Sequence, residues 1–85
     1  MNWHFSDDGI KPHDFQDCIA IESRERRIVD CYWSQKENLF RTLDGGHIFY
    51  LGEFDDYDNY VLAWISVDEI FKDYFAAKEA KHGNQ

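Results

Sequence analysis

Tyr60-Val61-Leu62-Ala63-Trp64-Ile65, followed by Ser66-Val67-Asp68-Glu69-Ile70-Phe71-Lys72-Asp73-Tyr74-Phe75, is the stretch that decides how this chain folds. The first six residues are uncharged and dominated by β-branched, aromatic and aliphatic side chains, a pattern that at this length predicts a buried strand. The next four have the S-x-x-E spacing of a capping box. There the Ser66 hydroxyl accepts from the Glu69 amide while the Glu69 carboxylate reaches back to the Ser66 amide. Val67, Ile70, Phe71, Tyr74 and Phe75 then recur at helical spacing on one face. A strand that turns directly into an amphipathic helix predicts a sheet with a helix laid across it.

Outward from that core, residues 52–59 form a turn-rich acidic loop, and residues 47–51 read as the strand before it. Asp44-Gly45-Gly46 supplies a tight turn whose glycines can take positive φ. Residues 39–43 make another strand, entered through the polar turn Gln35-Lys36-Glu37-Asn38. Residues 17–22 and 27–33 read as a hairpin joined by the four-residue loop Ser23-Arg24-Glu25-Arg26. That loop fixes a register: Glu22 opposite Arg27, Ile21 opposite Ile28, Ala20 opposite Val29, Ile19 opposite Asp30, and Cys18 opposite Cys31. One face then carries Cys18, Ala20, Val29, Cys31 and Trp33, the other Ile19, Ile21, Ile28 and Tyr32. Both faces are largely apolar, so the sheet is expected to be covered on each side. Residues 1–16, with Trp3, Phe5, Ile10 and Phe15 around Asp7-Asp8-Gly9 and Pro12, read as an arm laid over the core by its aromatics, with a short edge strand near residues 3–5. The expected architecture is one α+β domain over residues 1–85: the arm (1–16), an antiparallel meander sheet of four to five strands (17–65), and one C-terminal helix (66–82) packed on it.

Eighty-five residues leave little protein from which to build a large catalytic cleft. No run of about 18 apolar residues is present, so no membrane span is expected. The first residues lack a basic start followed by an apolar segment, so a cytoplasmic location and reduced thiols at Cys18 and Cys31 are the expectation. Net charge is −8, which disfavours nucleic acid and anionic membranes as direct partners and favours a basic protein. The charge is uneven: residues 43–85 hold nine acids against three Lys/Arg, and Glu53-Phe54-Asp55-Asp56-Tyr57-Asp58 carries four acids and no base.

Several chemistries can be weighed on these residues. Glu53, Asp55, Asp56 and Asp58 are hard oxygen donors, but the EF-hand pattern is absent, so a solvated loop is preferred to a Ca²⁺ or Mg²⁺ site. Cys18 and Cys31 lack a C-x-x-C partner, and His4, His13, His47 and His82 lack finger spacings, so no zinc site is expected. Neither thiol is flanked by a nucleophile elbow, and Gly45-Gly46 is not followed by the helix and Lys-Ser/Thr of a phosphate loop. The expectation is no enzyme, no metal and no cofactor. Arg24-Glu25-Arg26-Arg27 reads as a solvated hairpin tip. What remains is the acidic strip. Glu53, Asp55, Asp56 and Asp58 can steer a basic partner while Phe54, Tyr57 and Tyr60 anchor it, with Asp7 and Asp8 extending the surface where the arm lies beside that loop.

The arrangement of Trp3, Asp8-Gly9 with Pro12, the hairpin of residues 17–33, Gly45-Gly46 and Val61-Leu62-Ala63-Trp64-Ile65 resembles a family of short phage and prophage proteins. The chain departs from the family's Pro-rich ending by continuing as a helix. The resemblance implies a mobile-element setting, in which small acidic proteins such as anti-CRISPR proteins occupy basic nucleic-acid channels. Bacteriocin immunity proteins block nucleases by the same electrostatic logic. The expected function is therefore a non-enzymatic inhibitor of a host nucleic-acid-handling effector such as a CRISPR–Cas complex. The alternatives are a nuclease inhibitor of the immunity type and a self-associating module, a homodimer through the helix face or an exposed edge strand.

Overall fold

The hairpin sets the architecture. In a computed structural model describing residues 2–52 and 59–82, strands β2 (Asp17–Glu22) and β3 (Ile28–Ser34) pair antiparallel with Asp17 opposite Tyr32, Cys18 opposite Cys31, Ile19 opposite Asp30, Ala20 opposite Val29 and Ile21 opposite Ile28. This is the register that the loop length predicts. Strands β4 (Leu39–Thr42) and β5 (Ile48–Leu51) continue the meander, with the turn between them held by Asp44. The Asp44 carboxylate accepts from the Thr42 hydroxyl at 2.6 Å and from the Gly46 N–H at 2.9 Å, while Gly45 takes φ 75°. Ahead of them lie the two-residue strand β1 (His4–Phe5) and a short 3₁₀ turn (Ser6–Asp8); after them come β6 (Tyr60–Ser66) and the helix α1 (Val67–His82).

The sheet does not stay open. β6 pairs antiparallel with β2 along one edge, and its other edge is shared, with β5 pairing parallel at Tyr60 and Val61 and β1 antiparallel at Ala63 and Trp64. The expected open meander is thus corrected to a barrel of five strands, β2 to β6, with β1 as a sixth strand added outside the closure. The parallel pair is a consequence of arithmetic. A closed ring of five strands cannot alternate direction at every step, so one neighbouring pair must run the same way.

Closure explains the apolar pattern on the hairpin. Cys18, Ala20, Cys31 and Trp33 point into the barrel and pack with Phe40, Phe49, Val61 and Trp64, with Val29 and Leu51 against the cluster's margin. Trp33 meets Phe40 edge to face at 4.9 Å, a favoured geometry for buried rings. On β6 the register shifts between Ala63 and Val61, so Leu62 is the extra residue of a β-bulge. The bulge lets Val61 and Trp64 both face inward and leaves Leu62 exposed. The second hairpin face is the barrel's outside. It needs no second layer: Ile19, Ile21 and Tyr32 are half-buried and Ile28 is 68% exposed.

The helix does not lie across the sheet, contrary to expectation. It touches β2 and β6 at its start, where Val67 and Ile70 are half-buried, and every residue from Phe71 to Lys81 is exposed. The described chain measures 55 × 22 × 20 Å with a radius of gyration of 14.6 Å, where a compact domain of this length would have about 12 Å. A sheet closed on itself has already buried its inner face, so the helix meets only the outer patch at its own start, where Ile65 is buried beside half-buried Ile19. At the junction the Ser66 hydroxyl accepts from the Glu69 N–H at 3.4 Å, the first half of the expected capping box.

The arm is also held differently from expectation. Two of its rings do not cover the core: Phe5 is 57% and Phe15 71% exposed, while Trp3 is half-buried. It is fixed by β1 on β6, by buried Pro12, by the Trp64 indole N–H donating to the Ile10 carbonyl at 3.2 Å, and by His4 against the Trp64 ring at 4.4 Å.

Candidate functional site

Six of the residues expected to bind a partner, Glu53, Phe54, Asp55, Asp56, Tyr57 and Asp58, lie outside the described residues. The other three, Asp7, Asp8 and Tyr60, are described, and the fold brings them to one end of the barrel. The Ser6 hydroxyl donates to the Val61 carbonyl, which ties the 3₁₀ turn to the start of β6. Asp8 accepts from the Phe5 N–H at 3.1 Å, and Gly9 closes the turn at φ 71°. Phe5, Ser6, Asp7, Tyr60 and Leu62 together line an open hollow of about 310 Å³. Asp7 and Asp8 are exposed, Tyr60 is half-buried, and Phe5 and Leu62 offer apolar surface beside the carboxylates. The bulge at Leu62 is what turns that side chain outward into the hollow.

The same end also carries positive charge. The β2–β3 turn is joined to the start of β6, with the Ser23 N–H donating to the Tyr60 carbonyl at 2.8 Å and the Tyr60 N–H to the Ser23 hydroxyl at 3.1 Å. Arg24, Arg27, His47 and Asn59 line a second cleft, of about 300 Å³, over buried Glu22. Where the chain re-enters β6, Asn59 lines the arginine-bearing cleft and Tyr60 the carboxylate-bearing hollow.

Glu22 was placed opposite Arg27 by the hairpin register, but its burial was missed by sequence reading. It is 1% exposed and accepts from three backbone N–H groups, Arg24 at 2.9 Å, Glu25 at 2.8 Å and Arg27 at 3.0 Å. The Arg27 guanidinium is 3.8 Å from one carboxylate oxygen and 3.0 Å from Glu25. Burial pushes the Glu22 carboxyl up, but the three N–H donors and the Arg27 charge outweigh it and hold it below the usual carboxylate range. The signal was in the register: the parity that turns Cys18 and Ala20 inward turns Glu22 inward as well.

Cys18 and Cys31 are free thiols, both 1% exposed. Their hydrogens go to backbone carbonyls, Cys18 to Gln16 at 3.4 Å and Cys31 to Cys18 at 3.6 Å. Burial, reinforced by the neighbouring Asp17, pushes the Cys18 thiol up to about 12; burial, the facing Cys18 and the nearby Asp30 and Asp17 do the same to Cys31. Thiols so placed are poor nucleophiles and poor metal ligands. Among the described residues no three His, Cys, Asp or Glu side chains converge on a metal-sized site, and no helix is long and apolar enough to cross a membrane.

Compared with protein-family models, with curated proteins and with solved structures, the chain matches none.

Proposed function

We propose that this chain is a non-enzymatic binding protein that engages a basic partner through the acidic, aromatic-flanked end of its barrel. In its most specific form it is an inhibitor of a host nucleic-acid-handling effector such as a CRISPR–Cas complex. The observation that carries the reading is the meeting of Asp7 and Phe5 with Tyr60 and Leu62 in one open hollow, at the point where the acidic run rejoins β6. Apolar surface beside carboxylates suits a partner that presents arginine or lysine: the charges speed encounter and the rings supply the desolvated contact. Glu53, Asp55, Asp56 and Asp58 extend the negative surface in this reading, and Phe54 and Tyr57 its anchors.

The test is phage plating in cells that carry an active CRISPR–Cas system targeting that phage. Expression of the protein should restore plating, and Asp55→Lys, Asp56→Lys and Asp58→Lys together, or Phe5→Ser with Asp7→Lys, should remove at least about nine-tenths of the effect, the loss expected when anchors and steering charges go together. Plating that the protein does not restore would reject the CRISPR–Cas assignment. Restoration that survives both sets of changes would reject the acidic-face mechanism.

A further inference from the structure

The helix presents a surface that the barrel does not use. Phe71, Tyr74 and Phe75 are 55%, 55% and 59% exposed and lie on one stripe with Val67 and Ile70. The rings are not scattered: Phe71 and Phe75 stack at 6.4 Å, Tyr74 and Phe75 meet edge to face at 5.3 Å, and the Lys78 ammonium lies 6.0 Å from the Tyr74 centroid. A continuous aromatic face on a projecting helix is the kind of patch that marks an interface.

We infer that this face docks a second copy of the same chain, the two α1 helices lying antiparallel about a twofold axis. The charge along the helix selects that occupant. Residues 67–74 carry Asp68, Glu69 and Asp73 against Lys72, three acids and one base, a net of −2. Residues 75–82 carry Lys78 and Lys81 against Glu79, two bases and one acid, a net of +1 with His82 neutral. In an antiparallel pair Asp68, on the flank of the stripe in the acidic half, comes beside the partner's Lys78 and Lys81, and the two helix dipoles run opposed. A parallel pair would set like beside like. An anionic membrane is a poor occupant for a helix whose charges sum to −1 on a chain of net −8. The pairing is also isologous, so it closes at two copies. The contact is small. Three half-exposed rings offer roughly 300 Å² per protomer, against about 800 Å² per partner in a standard stable interface. The dimer is accordingly weak and reversible, with a dissociation constant on the order of 10–100 µM.

The acidic hollow is at the other end of β6, about 20 Å along a strand of seven residues, so dimerisation leaves it open and displays it twice. The inference does not rest on the function proposed above. Sedimentation velocity on the full chain between about 1 and 500 µM should show a monomer–dimer equilibrium in the stated range. Phe71→Ser with Phe75→Ser should weaken it at least about 30-fold with an unchanged barrel melt, because these rings are interface anchors and not core. Lys78→Glu with Lys81→Glu should weaken it about tenfold by setting acid beside acid, and adding Asp68→Lys should restore much of it. Phe5→Ser with Asp7→Lys, at the far end, should leave it unchanged. A monomer throughout the range, a dimer indifferent to the two Phe changes, or a dimer indifferent to the Lys reversals would overturn the inference. So would an α1-dependent attachment to neutral phosphatidylcholine vesicles by a chain that stays monomeric, which would assign the face to a lipid surface.

Discussion

Glu22 shows how a single side chain can hold a turn together. Its two oxygens take up the N–H groups of Arg24, Glu25 and Arg27, donors that a tight loop over a closed barrel would otherwise leave short of partners. Glu22→Gln keeps the shape but loses the charge, and its amide nitrogen cannot accept, so it should cost about 1–3 kcal/mol in a urea melt, the range for leaving buried donors unsatisfied. The pH dependence follows from the sign of the shift. Because the folded carboxyl is held below its unfolded value, its stabilisation is complete above the unfolded pKa of about 4.3 and is lost as pH falls through the lower folded value. The native protein should therefore show an acid-side loss of stability that Glu22→Gln flattens. At the same turn Arg26 sits at φ 56°, a conformation costing a non-glycine residue roughly 1–2 kcal/mol. Arg26→Gly should raise the melting temperature slightly, since glycine takes that φ freely. Cys18 and Cys31, pushed up to about 12, should resist alkylation by iodoacetamide at pH 8 in the folded protein and react fully in denaturant. Rapid labelling of the native chain would refute their burial.

At the scale of elements, most of what periodicity and turn chemistry predict is what forms. Strand β2 spans residues 17–22 as read, β3 to β6 fall within a residue or two of expectation, and the pairing of β2 with β3 follows from counting the loop. The helix begins straight after Ser66, where the capping spacing places it. Strand β6 carries the most structure of any element. It pairs with β2, β5 and β1, and its bulge turns Val61 and Trp64 both inward. Trp64→Ala should cost about 3–5 kcal/mol, the usual range for emptying a buried tryptophan site, and should also loosen the arm by removing the indole hydrogen bond to Ile10. Faster exchange of the amides of residues 4 and 5 would report that loosening, and unchanged exchange there would show that β1 pairing alone holds the arm.

The molecule as a whole is a small closed barrel with a helix extending from one end and a hollow of mixed apolar and acidic character at the other. A closed barrel buries its core without help, so the helix beyond its first turn should contribute little to barrel stability. A stop codon after Ile70 should leave the melting temperature within a few degrees of the full chain, as the exposure of residues 71–81 requires. A collapse of the melt would show that the helix supports the sheet after all.

Local rules were sufficient for the strands, the turns, the hairpin register and the helix start, because each depends on residues close together in the chain: alternation, loop length and a cap. The acidic run itself was legible from charge alone. Tertiary structure decided the rest. Whether the sheet stays open or closes depends on β6 finding β5 and β2 at once, a pairing of distant segments that no local pattern encodes. Closure then settled which apolar face was core and which was merely outside, took Glu22 out of water, and left the aromatic stripe of α1 facing solvent. A helix with that stripe would cover an open sheet, and only a sheet that has already covered itself leaves the stripe exposed.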